Sequence, residues 1–163
     1  MKHILSVTVT NHPGVLNRIS GLFSRRNFNI VSLNVGETED PEYSRMTIVV
    51  NGDDKILEQV KKQLHKQIDV LKVTDLDQKN MVDRDLALIR VACSGKQRME
   101  IIQIADTFRA KVVDLSTDSI MIEATGTEDK IEALIEIMRD FGIKDVVRTG
   151  MIALNRGQTY NND

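Results

Sequence analysis

The sequence predicts an α+β fold built from two tandem copies of one βαββαβ unit. Three observations lead there. Apolar spacing switches between period 2 and period 3.6 in the same order twice along 163 residues. Segments of the two halves echo each other, "NIVSL" at 29 standing where "KVVDL" stands at 111, and "NGDDKILEQ" at 51 where "TGTEDKIEA" stands at 125. Between the halves runs a mostly polar stretch, "DQKNMVDRD", of the kind that separates small domains.

From His3 to Thr10, Leu5, Val7 and Val9 alternate with Ser6, Thr8 and Thr10, the pattern of a half-buried strand. Val15, Leu16, Ile19, Leu22 and Phe23 then form one stripe of a helix that ends near Arg25 and Arg26. "NIVSLNVGE" (29–37) and "SRMTIVVNG" (44–52) read as strands on either side of a turn at Pro41. Asp53 opens a second helix whose inner face carries Ile56, Leu57, Val60 and Leu64, and "DVLKVTDL" (69–76) supplies the fourth strand. The second half repeats the series: strand 86–93, helix 98–110, two short strands within 111–126, helix 127–141 and a closing strand within 144–154.

This order is the split ferredoxin-like motif, in which two helices cover one face of an antiparallel sheet. The sequence therefore divides into a first domain at 1–77, a linker at 78–85 and a second domain at 86–163 that includes a short C-terminal tail. Units of this size are marginal alone. Their bare sheet face and open edge call for a cover, with oligomerisation as the expected remedy.

A formal charge of −2 and an aromatic content of 4% without Trp argue against nucleic acid as partner. An RNA-binding module of the same topology would carry aromatic residues on its central strands, where this chain has "NIVSLNV" and "RMTIVVN". The single Cys93 and three scattered His residues offer no disulfide and no metal site, and point to a reducing, cytoplasmic setting. The N-terminal run is too short and polar for a signal peptide, and no stretch approaches the length of a membrane span. No phosphate-binding glycine loop, nucleophile elbow or paired acid and base is present, so catalytic residues are expected to be absent.

The loop "TNHPGVL" at 10–16 is the exception. It reads as a turn that starts a helix, or as a ligand cradle. The second reading rests on geometry: amides of Gly14, Val15 and Leu16 would stand at a helix N-terminus, where unpaired donors and the helix dipole favour an anion. The corresponding stretch of the second half, "CSGKQRMEI", has neither the Asn nor the Pro-Gly, and reads as scaffold or as a protein contact.

The combination of N-x-x-G-V-L, "RRNFNIVSL" and "DPEYSRMTI", continuing through "LEQVKKQLHKQIDVLKV" to "NRG" at 155–157, resembles the small regulatory subunit of acetohydroxyacid synthase, also called acetolactate synthase, over nearly the whole chain. The resemblance implies that the first unit is an ACT domain and that the chain is non-catalytic. In that family it would activate a large catalytic subunit carrying thiamine diphosphate, FAD and magnesium, and make it sensitive to valine or a related branched-chain amino acid. No cofactor or metal is implied on this chain. The same resemblance implies a homodimer through strand 29–37, with effector residues Asn11, Gly14, Val15 and Leu16 on the loop and Asn29 and Ile30 on the partner's strand. A free-standing ACT-type amino-acid sensor is the alternative, and the chain lacks the DNA-binding helix or basic segment that a transcription regulator would need.

Overall fold

The computed structural model describes residues 1–157 and divides the chain into two compact units: Met1–Val82 together with the segment from Met151 onward, and Asp83–Gly150. In the first unit the elements are β1 (Lys2–Thr10), α1 (Val15–Arg25), β2 (Ile30–Glu37), β3 (Tyr43–Asn51), α2 (Asp54–His65) and β4 (Val70–Asp75). Its sheet has the order β2-β3-β1-β4, with all neighbours antiparallel. Leu5, Val7 and Val9 of β1 and Met46, Ile48 and Val50 of β3 face the helices, where they meet Val15, Ile19, Leu22 and Phe23 of α1 and Leu57, Val60 and Leu64 of α2. Period-2 and period-3.6 stripes thus close on each other as expected.

α1 ends in a Schellman turn that the sequence pattern did not reveal. Asn27 takes a positive φ of 56°, its amide donates to the Ser24 carbonyl at 3.2 Å, and the Phe28 amide donates to the Phe23 carbonyl at 3.0 Å. The accompanying apolar contact is an edge-to-face pair of Phe23 and Phe28 with centroids 6.3 Å apart. Asn is one of the few non-glycine residues that tolerate this conformation. The "RRNFNI" run therefore stops the helix, anchors the exit on Phe23 and launches β2.

The second unit begins inside the segment read as a linker. β5 runs Met81–Ala92, so residues 81–85 are strand and the linker at 78–85 is corrected to a turn followed by β5. The misreading came from "MVDRD", whose inward Asp85 is polar but buried, held by Arg148 at 2.6 Å and by Thr149 at 3.2 Å. α3 (Arg98–Thr107), β6 (Lys111–Leu115), β7 (Ser119–Gly126), α4 (Glu128–Arg139) and β8 (Ile143–Arg148) follow, in the sheet order β6-β7-β5-β8. Burial opposes the Arg148 charge, but hydrogen bonds to Glu132 and Asp85 outweigh it and hold the guanidinium above its ordinary value. α3 ends as α1 does, with Arg109 at φ 54° and the Ala110 amide donating to Ala105.

The C-terminal boundary also differs from expectation. Met151 onward belongs to the first unit, and the closing strand splits into β8 and β9 (Ile152–Asn155). Met151 is fastened to β2 by the Ser32 hydroxyl and the Asn34 amide, at 3.2 Å and 3.1 Å. Met151 and Ala153, with Met81, cover Ile4, Val49 and Leu76 on the sheet face opposite the helices. Part of the bare face thus finds its cover within the chain.

Asn27→Val is expected to lower unfolding free energy by about 1–2 kcal/mol, because a β-branched residue resists the left-handed conformation. Asn27→Gly should be nearly neutral. Urea denaturation of the three proteins checks this.

Candidate functional site

The loop between β1 and α1 is held by its own hydrogen bonds. The Asn11 amide donates to the Glu42 carbonyl at 2.7 Å, and its side-chain Nδ2 donates to Glu37 Oε1 at 3.1 Å and to the Pro41 carbonyl at 2.9 Å. Both Nδ2 protons are thereby committed, and Oδ1 is the atom left to meet a ligand as an acceptor. Asn11 is therefore a clamp between the loop and the β2–β3 turn, and its chemistry toward a ligand is that of accepting from an ammonium.

Gly14 caps α1 with φ 87°, a conformation that explains the glycine without reference to any ligand. A Cβ there would also approach the Arg18 guanidinium to 3.2 Å. No side chain caps this helix and no acidic residue sits in its first turn. α2, by contrast, is capped by Asp53, which accepts from the Ile56 amide at 2.9 Å. The α1 terminus is thus electropositive and open.

Two details of the expected cradle change. The Val15 amide donates to the His12 carbonyl at 3.3 Å and the Val15 side chain is buried in the core, so within this chain Val15 offers neither a free amide nor an exposed side chain. Among the described residues, the amides of Gly14, Leu16 and Asn17 have no acceptor, and Leu16 carries the exposed apolar side chain beside them. The stripe that began at Val15 had concealed this, because adjacent helix positions face different ways.

Arg18 and Asp69 were missed altogether. Arg18 lies one turn beyond Gly14 and forms a two-nitrogen contact with Asp69 Oδ2 at 2.8 Å and 2.7 Å, while Asp69 Oδ1 accepts from the Thr10 hydroxyl at 3.1 Å. No local spacing signals this pair, because Asp69 lies 51 residues from Arg18. This cluster ties the loop base to the start of β4.

Asn29 and Ile30 lie elsewhere. Asn29 is exposed just before β2, and Ile30 pairs with Val50, whereas Glu37 at the other end of β2 pairs with Ser44 beside the loop. At about 3.3 Å per residue, the two groups stand about 20 Å apart along the strand. Within one chain the structure does not bring the loop and strand residues together. Before Asn29, a depression of about 350 Å³ is lined by Arg25, Arg26, Phe28 and Gln59, which makes that end of the sheet cationic as well.

β2 is the edge of its sheet, with Val31 and Val35 exposed. Leu33, between them, packs partly against the core. A bulge between Ile30 and Ser32 shifts the register and turns Val31 outward.

The second unit has no counterpart of the Asn-Pro-Gly turn. Its α3 is preceded by Gln97, whose carboxamide oxygen lies 3.4 Å from the Ser94 amide, and Arg98 donates to the carbonyls of Ser116 and Thr117. Among the described residues no group of three His, Cys, Asp or Glu side chains could hold a metal ion, and no helix is long and apolar enough to cross a membrane.

Family comparisons fit both units. Residues 5–72 match the AHAS small subunit-like ACT domain, and residues 84–157 match the small subunit of acetolactate synthase. The acetolactate synthase small subunit of Bacillus subtilis is 52% identical over 158 residues, 96% of this chain and 92% of that one. The chain belongs to the acetolactate synthase small-subunit family. The small subunit of Mycolicibacterium smegmatis is 51% identical over 155 residues, covering 95% of this chain and 91% of its own. A crystal structure of the acetolactate synthase small subunit from Thermotoga maritima superposes with a TM-score of 0.92 at 42% identity, across 98% of this chain and 99% of that one. The α+β fold of two ferredoxin-like units, the first an ACT domain, is thus that of an acetolactate synthase small subunit.

Gly14→Ala is expected to cost about 1–2 kcal/mol of stability through its positive φ alone. Gly95→Ala, whose Cβ would meet nothing within 4 Å, should leave the melting temperature unchanged. Calorimetric melting of both variants checks the pair.

Proposed function

We propose that this chain is the regulatory subunit of an acetolactate synthase, binding valine or a related branched-chain amino acid at a site shared by two copies and passing that occupancy to a catalytic subunit. The observation that carries the reading is the separation of the two half-sites along the unpaired edge strand β2. An isologous pairing of β2 with its copy runs antiparallel about a two-fold axis. With the axis at the middle of the strand, Ile30 of one protomer falls opposite Glu37 of the other, and Glu37 is the residue on which Asn11 rests. Residues distant within one chain then become neighbours across the dimer.

Such a site suits a zwitterionic amino acid. The open α1 terminus, with the free amides of Gly14 and Leu16, takes the carboxylate, and Asn11 Oδ1 accepts from the ammonium. Asn29 from the copy adds a neutral hydrogen-bonding group, and Leu16 with Ile30 from the copy offers apolar surface for a branched side chain. Binding across the interface links effector occupancy to the geometry of the dimer, which gives the coupling a route to the catalytic subunit. Thiamine diphosphate, FAD and magnesium belong in this reading to that subunit, and this chain contributes no catalytic residue.

The test is calorimetric titration of valine, paired with inhibition curves of the enzyme reconstituted with its catalytic subunit. Gly14→Asp should weaken valine binding more than about tenfold, because its carboxylate occupies the helix terminus that otherwise favours the ligand by up to about 2 kcal/mol. Gly14→Ala, strained but uncharged, should retain more affinity. Asn29→Ala should lose about 0.5–1.5 kcal/mol, the worth of one hydrogen bond. Unchanged affinity in Gly14→Asp would reduce the loop to a turn.

A second outcome follows from the shared geometry. Val35→Lys touches neither half-site, yet it places a charge on the paired edge and should lower self-association and valine affinity together. Sedimentation velocity with and without valine reads both, and a variant that stays monomeric with full affinity would overturn the two-chain site.

A further inference from the structure

The ion pair of Arg18 and Asp69 spends only one side of the guanidinium. Nε and Nη2 both meet Asp69 Oδ2, at 2.8 Å and 2.7 Å, and Asp69 Oδ1 is held in turn by the Thr10 hydroxyl. Nη1, on the other side of the planar fork, has no acceptor among the described residues. It lies beside Gly14, where a Cβ would stand 3.2 Å from it. The unspent donors of Arg18 and the open amides of Gly14 and Leu16 therefore border one small space.

Exposure decides which charge of the pair faces outward. The Arg18 side chain is 50% exposed and that of Asp69 only 15%. With the carboxylate oxygens turned to the guanidinium and to Thr10, the cation is what an approaching molecule meets. A brace between the loop base and β4 would need no more than the Asp69 side of the fork. Anchoring that side also restricts the rotamers of a long side chain, so less freedom is lost when the other side binds.

We propose that Arg18 is the residue through which this site demands a full carboxylate on its ligand, with Nη1 donating to that group from the side while the α1 terminus takes it end-on, and with Asp69 positioning the fork. The inference rests on the effector reading above and adds a charged recognition group to it. Backbone amides alone accept the oxygen of an amide or ester nearly as readily as that of an acid. A guanidinium does not, because its bonds are charge-assisted only with an anion, and a ligand carboxamide turns an NH2 donor toward a group that can only donate. A carboxylate introduced at position 14 would lie within reach of the same Nη1, so Gly14→Asp would engage the cation as well as the helix terminus.

Calorimetric titration of the full chain with valine, leucine and isoleucine, each against its own amide at a pH where both carry the ammonium, tests the assignment. The unsubstituted chain should bind the tightest of the three acids at least about tenfold better than its amide. Arg18→Gln should weaken the acid at least about tenfold and leave the amide within about twofold, so that the ratio falls with the charge. Arg18→Lys, which keeps the charge without the fork, should recover part of the ratio. Asp69→Asn breaks the same ion pair from the other side but leaves the cation and an accepting oxygen in place, and should hold the ratio within about threefold of the original. Equal loss of the ratio in Arg18→Gln and Asp69→Asn would make the pair a brace only and overturn the proposal. An unchanged ratio in Arg18→Gln, with the acid still bound, would overturn it while leaving the effector reading intact. Failure of the unsubstituted chain to bind any of the three acids would overturn that reading and this inference together.

Discussion

An antiparallel sheet with helices on one side only is left with an open face and open edges, and this molecule meets that constraint twice. Each unit buries a well-formed core between sheet and helices, so neither lacks internal stability for want of patterning. What distinguishes the units is the treatment of the remaining surface. In the first, Met151 and Ala153 lie over Ile4, Val49 and Leu76, and the rest of the face is polar. In the second, Leu88, Met121 and Val147 stand on that face beside Arg90 and Asp145.

The edge matters as much as the face. A strand edge presents unpaired amides and carbonyls in a fixed spacing, which makes it a specific template for its own copy. β2 is such an edge, and it separates the amide-rich loop from Asn29 and Ile30 by the length of the strand. A ligand that needs both ends can report on whether two chains are correctly joined, which neither end could do alone.

Much of this was legible in the sequence, for physical reasons that can be named. Alternation in Leu5 to Thr10 and the stripe through Ile19, Leu22 and Phe23 are local consequences of burying one face, so they survive in a single sequence. The duplication was legible because equivalent turns need equivalent residues. Three things were hidden. Asp85 looked like linker because a buried carboxylate with an Arg partner is indistinguishable from a solvated one until the fold brings Arg148 to it. The return of Met151 to the first unit depends on partners more than a hundred residues away, beyond any periodicity. The outward turn of Leu16 was hidden because it follows Val15 directly and reads into the same apolar stripe. The loop itself announced its residue types, but only the hydrogen bonds show that Asn11 is spoken for and that Gly14 answers first to its backbone.

The chain threads the second unit, Asp83–Gly150, between two parts of the first. A nascent chain leaving the ribosome therefore presents the first sheet and its helices well before the residues that seal Ile4 and Val49. Domains tend to fold as they are made, N-terminal first. Here the first unit waits, with part of its sheet unsealed, until the second has been translated, so closing that sheet certifies that Asp83–Gly150 has already been made.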